Sequence, residues 1–309
     1  MNSKIEHFVA DYDTNLSAVD QFTSDKKVTG LIQEAWSIII RNPLFWVSSV
    51  IVLILASMAL FPGLWSQTDP LVCQISDSNL SGSAIHPMGT TLQGCDVFAR
   101  VVYGARPSLA IGVMTTVIGT LIGVIIGTIA GFFGGILDSI LSRVIDVFYA
   151  IPFILAAVAV LQLFQSSDSI WKVIFTLSLF AWTSPARLMR SAVLGVKQQE
   201  FITASVALGS SQFRNMFMHI LPNSISPVIA TATINIGGYI VAESTLSFLG
   251  LGLGSNSVSW GQDIANARDN LMTTPSMLLW PSLFLAVTTL SFIFLGDSIR
   301  DALDPKGRR

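Results

Sequence analysis

The sequence predicts an all-α polytopic membrane protein with six transmembrane helices. Three observations predict it: a shortage of charge, a series of long uncharged runs, and a lopsided placement of lysine and arginine. Of 309 residues, 51% are hydrophobic and only 12% are charged, against about 25% charged in soluble domains. The mean hydropathy of +0.65 agrees. A soluble enzyme would lack the charge to cover its surface. A net charge of −2 leaves no footprint for nucleic acid, and three His with two Cys leave little for a metal cluster.

Uncharged stretches place the spans. There are 27 uncharged residues between Arg41 and Asp69, 31 between Arg106 and Asp138, and 21 between Asp146 and Asp168. Another 28 lie between Arg214 and Glu243, and 27 between Asp269 and Asp297. A helix needs about 20 apolar residues to cross the hydrocarbon, so all five qualify. A sixth, from about Ile170 to Ala186, carries Lys172 near one end, where a lysine snorkels. Its alternative is an interfacial helix. Ser244–Gln262 is also uncharged, but Gly250, Gly252, Gly254, Ser255 and Asn256 mark a loop.

With the N-terminus inside, the cytoplasmic segments hold 13 of the 17 basic residues, and the outside keeps only Arg100, Arg106, Lys172 and Arg268. This positive-inside bias predicts a plasma (inner) membrane protein with both termini cytoplasmic. No cleavable signal peptide is expected, because the first 40 residues have no apolar core. Leu31, Ile32, Ala35, Trp36 and Ile39 recur at helical spacing and predict a short helix on the inner face. The expected units are a tail with that helix (1–43), a first span with an outer loop (44–107), a core of five spans (108–297) and a C-terminal tail (298–309).

The outer loop, about Pro62 to Pro107, holds both cysteines, Cys73 and Cys95. Two thiols confined to the oxidising side of a membrane favour a disulfide, worth about 3 kcal/mol for a loop of about 20 residues. The alternative is two unrelated thiols. His86 is the one nearby imidazole, too little for a metal site.

The most informative segment is the loop 198–222. It is too polar to span and too long for a turn. Gly209 should divide it into two short helices, with Pro222 opening the next span, a shape suited to docking in a groove on another protein. An ordinary amphipathic connector with Gly209 as a C-cap is the plainer reading. Here Glu200, Ala204, Ala207, Gly209, His219, Ile220, Leu221 and Pro222 resemble the EAA loop of bacterial ABC-importer permeases, the element that seats on the ATPase subunits. The detail of Leu208-Gly209 and His219 to Asn223 is similar to the dipeptide/oligopeptide/nickel branch.

Four further stretches carry the same resemblance in order. They are Met88 to Arg106, Gly131 to Pro152, Glu243 to Gly252 with Trp260-Gly261, and Gly296 to Pro305. Together they cover about residues 35–306 and resemble the C-type permease subunit of peptide importers. Some positions depart from the family pattern. Thr91 stands where Asp is frequent and Cys95 where Arg is frequent; Ser205 and Val206 replace the usual Ala and Arg. Cys95 thereby supports a lineage-specific bridge to Cys73, and the missing arginine removes one polar contact to an ATPase.

The second span carries Gly119, Gly123, Gly127 and Gly131 at intervals of four, with Gly112 further up. That spacing puts a smooth seam on one helix face for close packing, either within the chain or against a second permease. Glu243 is the one acid expected deep in, or at the outer end of, an apolar helix. It is a translocation candidate, or else a cap for helix and loop groups at the interface. Arg143 and Asp146 are spaced to pair on one helix face. His7, His86 and His219 fall in separate regions, and no GxxxxGK[ST] loop is present, so no catalytic residue and no bound metal are expected.

The resemblance implies a MetI-like ABC type I importer permease fold and a non-catalytic subunit without its own cofactor. It implies ATP and Mg used by two partner ATPases, a second homologous permease completing a heterodimer, an extracytoplasmic solute-binding protein, and a di- or oligopeptide cargo moved by alternating access. A nickel importer of the same family is the alternative cargo. An ion-coupled secondary transporter is the rival of another class, but it would want several intramembrane ionisable groups and an inverted repeat.

Overall fold

The computed structural model describes residues 31–164, 169–254 and 257–303, and among them secondary structure is helical, without a strand. α1 is Leu31–Ile39; its Ala35 is buried while Trp36 is exposed, and the helix rests on α13, described below. The rest of the N-terminal tail, and the chain after Leu303, lie outside the described residues.

α2 (Pro43–Leu60) starts where its composition dictates. Asn42 accepts a hydrogen bond from the Leu44 amide, and Pro43 occupies the first turn, where no donor is lost. α3 (Val97–Phe133) is the longest element at 37 residues, capped by the Asp96 carboxylate, which accepts from the Ala99 amide at 2.9 Å. α3 runs unbroken through Pro107, so the expected unit boundary at 107/108 falls inside a helix. The boundary at 297/298 likewise falls inside α13 (Ser276–Leu303).

The third expected span differs more. α4 (Gly135–Ala150) and α5 (Phe153–Leu161) meet at an 80° elbow instead of forming one rod. Ile151 precedes Pro152 and takes an extended ψ of 125°, because the proline ring disfavours helical geometry in its predecessor. α6 (Ile170–Ala181) gives way at Trp182 to α7 (Thr183–Lys197), with Pro185 in α7's first turn. The sixth expected span therefore appears as a 12-residue helix and the beginning of another. Among the described residues three helices, α2, α3 and α13, are long and apolar enough to cross alone, and two bent pairs raise the number to as many as five.

After α8 (Glu200–Ala207) come a short α9 (Gln212–Arg214), a π-turn at Asn215–Ile220, α10 (Leu221–Ser224), and then α11 (Ser226–Phe248) at 50°. Pro222 cannot donate a helical hydrogen bond, and the backbone widens just before it. α11 runs to Phe248, into the stretch 244–262 expected as a loop, and stops just before Gly250. α12 (Trp260–Ala267) then packs across the ends of α3, α11 and α13.

α3 is the axis of the bundle, touching α2, α6, α7 and α11. At one end, Leu55, Met58, Val101, Ile240, Trp260 and Phe292 form a buried cluster, and the Trp260 indole donates to the Val101 carbonyl at 2.8 Å. At the other, Phe132, Met189, Val193, Ile202, Met216 and Ile220 join α3 and α7 to the segment beginning at α8.

Candidate functional site

The segment 198–222 is mostly exposed. α8 ends in a Schellman arrangement: the Gly209 amide donates to the Val206 carbonyl and the Ser210 amide to the Ser205 carbonyl. This requires φ +83° at Gly209, a conformation that residues with a Cβ rarely adopt. Ser205, one of the departures from the family pattern, donates to the Asn215 side chain at 2.7 Å and ties α8 to the π-turn. Ile202, Met216 and Ile220 anchor the segment inward. Outward it presents Phe201, Val206, Leu208, Phe213 and Phe217, with Leu208 88% exposed. Glu200, Ala204, Ala207, Gly209 and Pro222 are exposed as well, while His219 and Leu221 are half-buried. The His219 carbonyl accepts from the Asn223 amide side chain.

The four evenly spaced glycines of α3 face the end of α6 and then α7. A Cβ on Gly119 would lie 2.7 Å from Ala181 Cβ, on Gly123 2.7 Å from the Trp182 carbonyl oxygen, on Gly127 2.4 Å from the Ala186 carbonyl oxygen, and on Gly131 2.9 Å from the Arg190 carbonyl oxygen. Gly112 meets Ile240 and Ile236 of α11 instead. Of the two uses left open by sequence, the seam serves packing within the chain.

Ion pairs tie α7 to α4 as well. Arg190 of α7 grips Asp138 of α4 with two bonds of 2.5 and 2.6 Å, and Arg187 reaches Asp146 at 2.6 Å while lying over the Tyr149 ring. Asp146 thus pairs across helices and not with Arg143, three residues away. Lys197 closes α7 by donating to the Phe132 carbonyl at the end of α3.

Glu243 is fully buried beneath α12. Its Oε1 accepts from the Ser247 hydroxyl at 2.8 Å and the Ser259 hydroxyl at 3.1 Å, and Ser244 approaches Oε2 at 3.5 Å. It sits opposite Gly261, where a Cβ would come within 3.1 Å of Oε1. This geometry is that of a buried anchor between α11 and the start of α12.

Nearby, the Arg100 guanidinium holds Asp263 through Nε at 2.8 Å and through a second nitrogen, and also donates to the Pro70 carbonyl. Burial pushes the Asp263 carboxyl above its ordinary value, and the Arg100 charge pulls against that. Asp96, besides capping α3, lies 2.8 Å from His86 Nδ1. Cys73 and Cys95 are joined by a disulfide. Thr91 is buried in the turn before Cys95, whose amide donates to its hydroxyl at 3.1 Å.

Sequence reasoning did not find Arg100–Asp263, His86–Asp96 or the two α4–α7 pairs. Partners separated by 163 positions, as in the first, leave no local spacing to read. Among the described residues no cluster of three or more His, Cys, Asp and Glu is placed to hold a metal.

The family model for the binding-protein-dependent transport system inner membrane component matches residues 123–309, more than half of the chain. The chain belongs to that family. A second model, for the N-terminal transmembrane domain of oligopeptide transport permease C, matches residues 30–81 of this inner membrane component. It is 38% identical to the dipeptide transport system permease protein of Bacillus subtilis (strain 168), over 90% of this chain and 86% of that protein. It is 34% identical to the oligopeptide transport system permease protein of the same organism, over 95% of each. The glutathione transport system permease protein of Salmonella typhimurium (strain LT2) is 39% identical, over 89% of this chain and 90% of that one. Two inward-facing crystal forms of the MetNI methionine ABC transporter share the fold, with TM-scores of 0.55 and 0.56 at 21% identity. Each match covers 66% of this chain and 96% of that chain. The permease fold expected from the motifs is thus the fold observed, in a multi-pass membrane protein.

Proposed function

We propose that this chain is the C-type transmembrane subunit of an ATP-driven importer of di- and oligopeptides, supplying half of the translocation pathway. The observation that carries the reading is its relatedness, along almost its whole length, to permeases named for dipeptides, oligopeptides and glutathione. Those names favour peptide over nickel as cargo.

ATP is hydrolysed by two partner subunits, and the segment 198–222 is where they push. Its exposed Phe201, Leu208, Phe213 and Phe217 are costly in water and suit a groove on a partner protein. Positive-inside bias puts this segment and both termini in the cytoplasm. The disulfide-closed loop then faces the opposite side, where an external binding protein delivers cargo. A second, homologous permease completes the pathway.

Two measurements test this. The tagged chain, purified in mild detergent, should retain ATPase subunits. The reconstituted complex should accumulate a mixed pool of di- to pentapeptides only with ATP and binding protein. Uphill uptake by the isolated chain, or labelling that puts Gly209 on the binding-protein side of the membrane, would overturn the assignment.

A further inference from the structure

Most exposed membrane-facing surface of the bundle is what hydrocarbon demands. α2, for example, exposes Val47, Val50, Leu53 and Ile54. One face of α11 breaks this rule. Asn235, Gly238, Tyr239 and Thr245 lie along it at helical spacing, near the middle of the 23-residue helix and towards its end. They line a cavity of about 350 Å³ that Phe153 of α5 closes on the other side. Phe153 and Tyr239 also line a second cavity, of about 430 Å³, in the crook of the α4–α5 elbow, among Phe148, Tyr149 and Phe180. The two spaces adjoin at Phe153 and Tyr239, which line both, and are taken together as one groove beside the 80° elbow.

The polar groups of this face are not equivalent. Thr245 donates back to the Val241 carbonyl of its own helix, and the Tyr239 hydroxyl reaches the Ala181 carbonyl at 3.4 Å. The Asn235 amide, half-buried, has no hydrogen-bond partner among the described residues. Leaving such an amide against acyl chains costs several kcal/mol, so this face is built for something polar. A Cβ at Gly238 would meet nothing within 4 Å, so the groove is open at that point and not filled by the chain's own packing.

We propose that this groove is the wall along which a peptide backbone crosses, and that Asn235 is its positioning residue. A carboxamide offers one acceptor and two donors and so complements a peptide N–H and C=O together. It reads main chain and ignores side chains. The aromatic walls from Phe148, Phe153 and Phe180 add contact area that tolerates varied side chains. This inference rests on the import reading above and assigns its pathway to particular residues.

Cysteine accessibility tests it in the assembled complex in proteoliposomes. Both native cysteines are bridged, so under non-reducing conditions they give no background. Asn235→Cys and Gly238→Cys should react with a charged sulfonatoethyl methanethiosulfonate, in the ATP-free or the ATP-bound state, at least about tenfold faster than Leu53→Cys on α2. Asn235→Leu should lower peptide-pool uptake about tenfold, the order expected for one lost hydrogen bond to a buried group, chiefly through KM. Asn235→Gln should recover part of it. If positions 235 and 238 resist the charged reagent in both states, lipid or the second permease covers the groove and the proposal falls. A wild-type complex that fails to accumulate peptide would instead defeat the import reading, and the labelling pattern would still report whether the groove is wet.

Discussion

Gly209 shows how much one backbone angle can specify. Its φ of +83° closes α8 and turns the chain towards α9, yet a side chain there would meet open space. Size is therefore not the constraint. Gly209→Asn, which tolerates the left-handed region, should keep near-normal uptake. Gly209→Val should lose about 1–2 kcal/mol locally, and Gly209→Pro, locked near −65°, should abolish coupled uptake while membrane levels stay normal. Transport normalised to immunoblotted protein decides among them. Gly127 is the opposite case, constrained by space. Gly127→Val puts a Cβ 2.4 Å from the Ala186 carbonyl oxygen and should cost at least about 1–3 kcal/mol by overpacking, read as a lower melting temperature in detergent. Gly195→Ala, facing open space, is the control. Both glycine roles were legible in sequence, one as a break in a polar loop and the other as a four-residue period. Which helix lay across the seam was not, because spacing specifies a face and not its neighbour. Glu243 is similar: its presence in an apolar helix marked it, but only three converging serine hydroxyls distinguish an anchor from an open carboxylate.

Among the elements, those whose ends are written in local chemistry were the most legible. Asn42-Pro43 starts α2, and Ile151-Pro152 separates α4 from α5, although sequence had run a span straight through that point. Long uncharged runs locate apolar chain but do not say whether it is straight, and so the elbow was missed. The loop before α3 is held at several points: the Cys73–Cys95 disulfide, the Asp96 cap, and Arg100 reaching both Asp263 and Pro70. Replacing both cysteines by serine should cost about 3 kcal/mol in the chain-entropy model. It should lower the melting temperature and make the loop protease-sensitive, and a non-reducing mass map of the wild type should show the linked peptides. Removing one partner of Arg100–Asp263 leaves a buried charge and should cost about 3–5 kcal/mol. The double variant Arg100→Met, Asp263→Leu should recover much of that loss. Additive losses in such a cycle would mean that the two groups are not coupled.

For the molecule as a whole, charge scarcity and motif order were enough to indicate a polytopic permease, and the family match and shared fold agree. The arrangement of helices around α3 was not readable, since it depends on small-residue contacts and on ion pairs distant in sequence. The seam between α3 and α7 has one more consequence. Three close glycine contacts, at Gly123, Gly127 and Gly131, and a lysine clasp at Phe132 leave these two helices no room to slide past one another. On the proposed reading, a load arriving at α8 passes through the π-turn and α10 to α7, and α7 hands it to a strut that extends to the opposite rim, where the disulfide-bound loop is fastened. The two ends of this subunit would then tilt as the two arms of a single rocker, and a flexible joint inserted midway along α3 would let one arm swing while the other stood still.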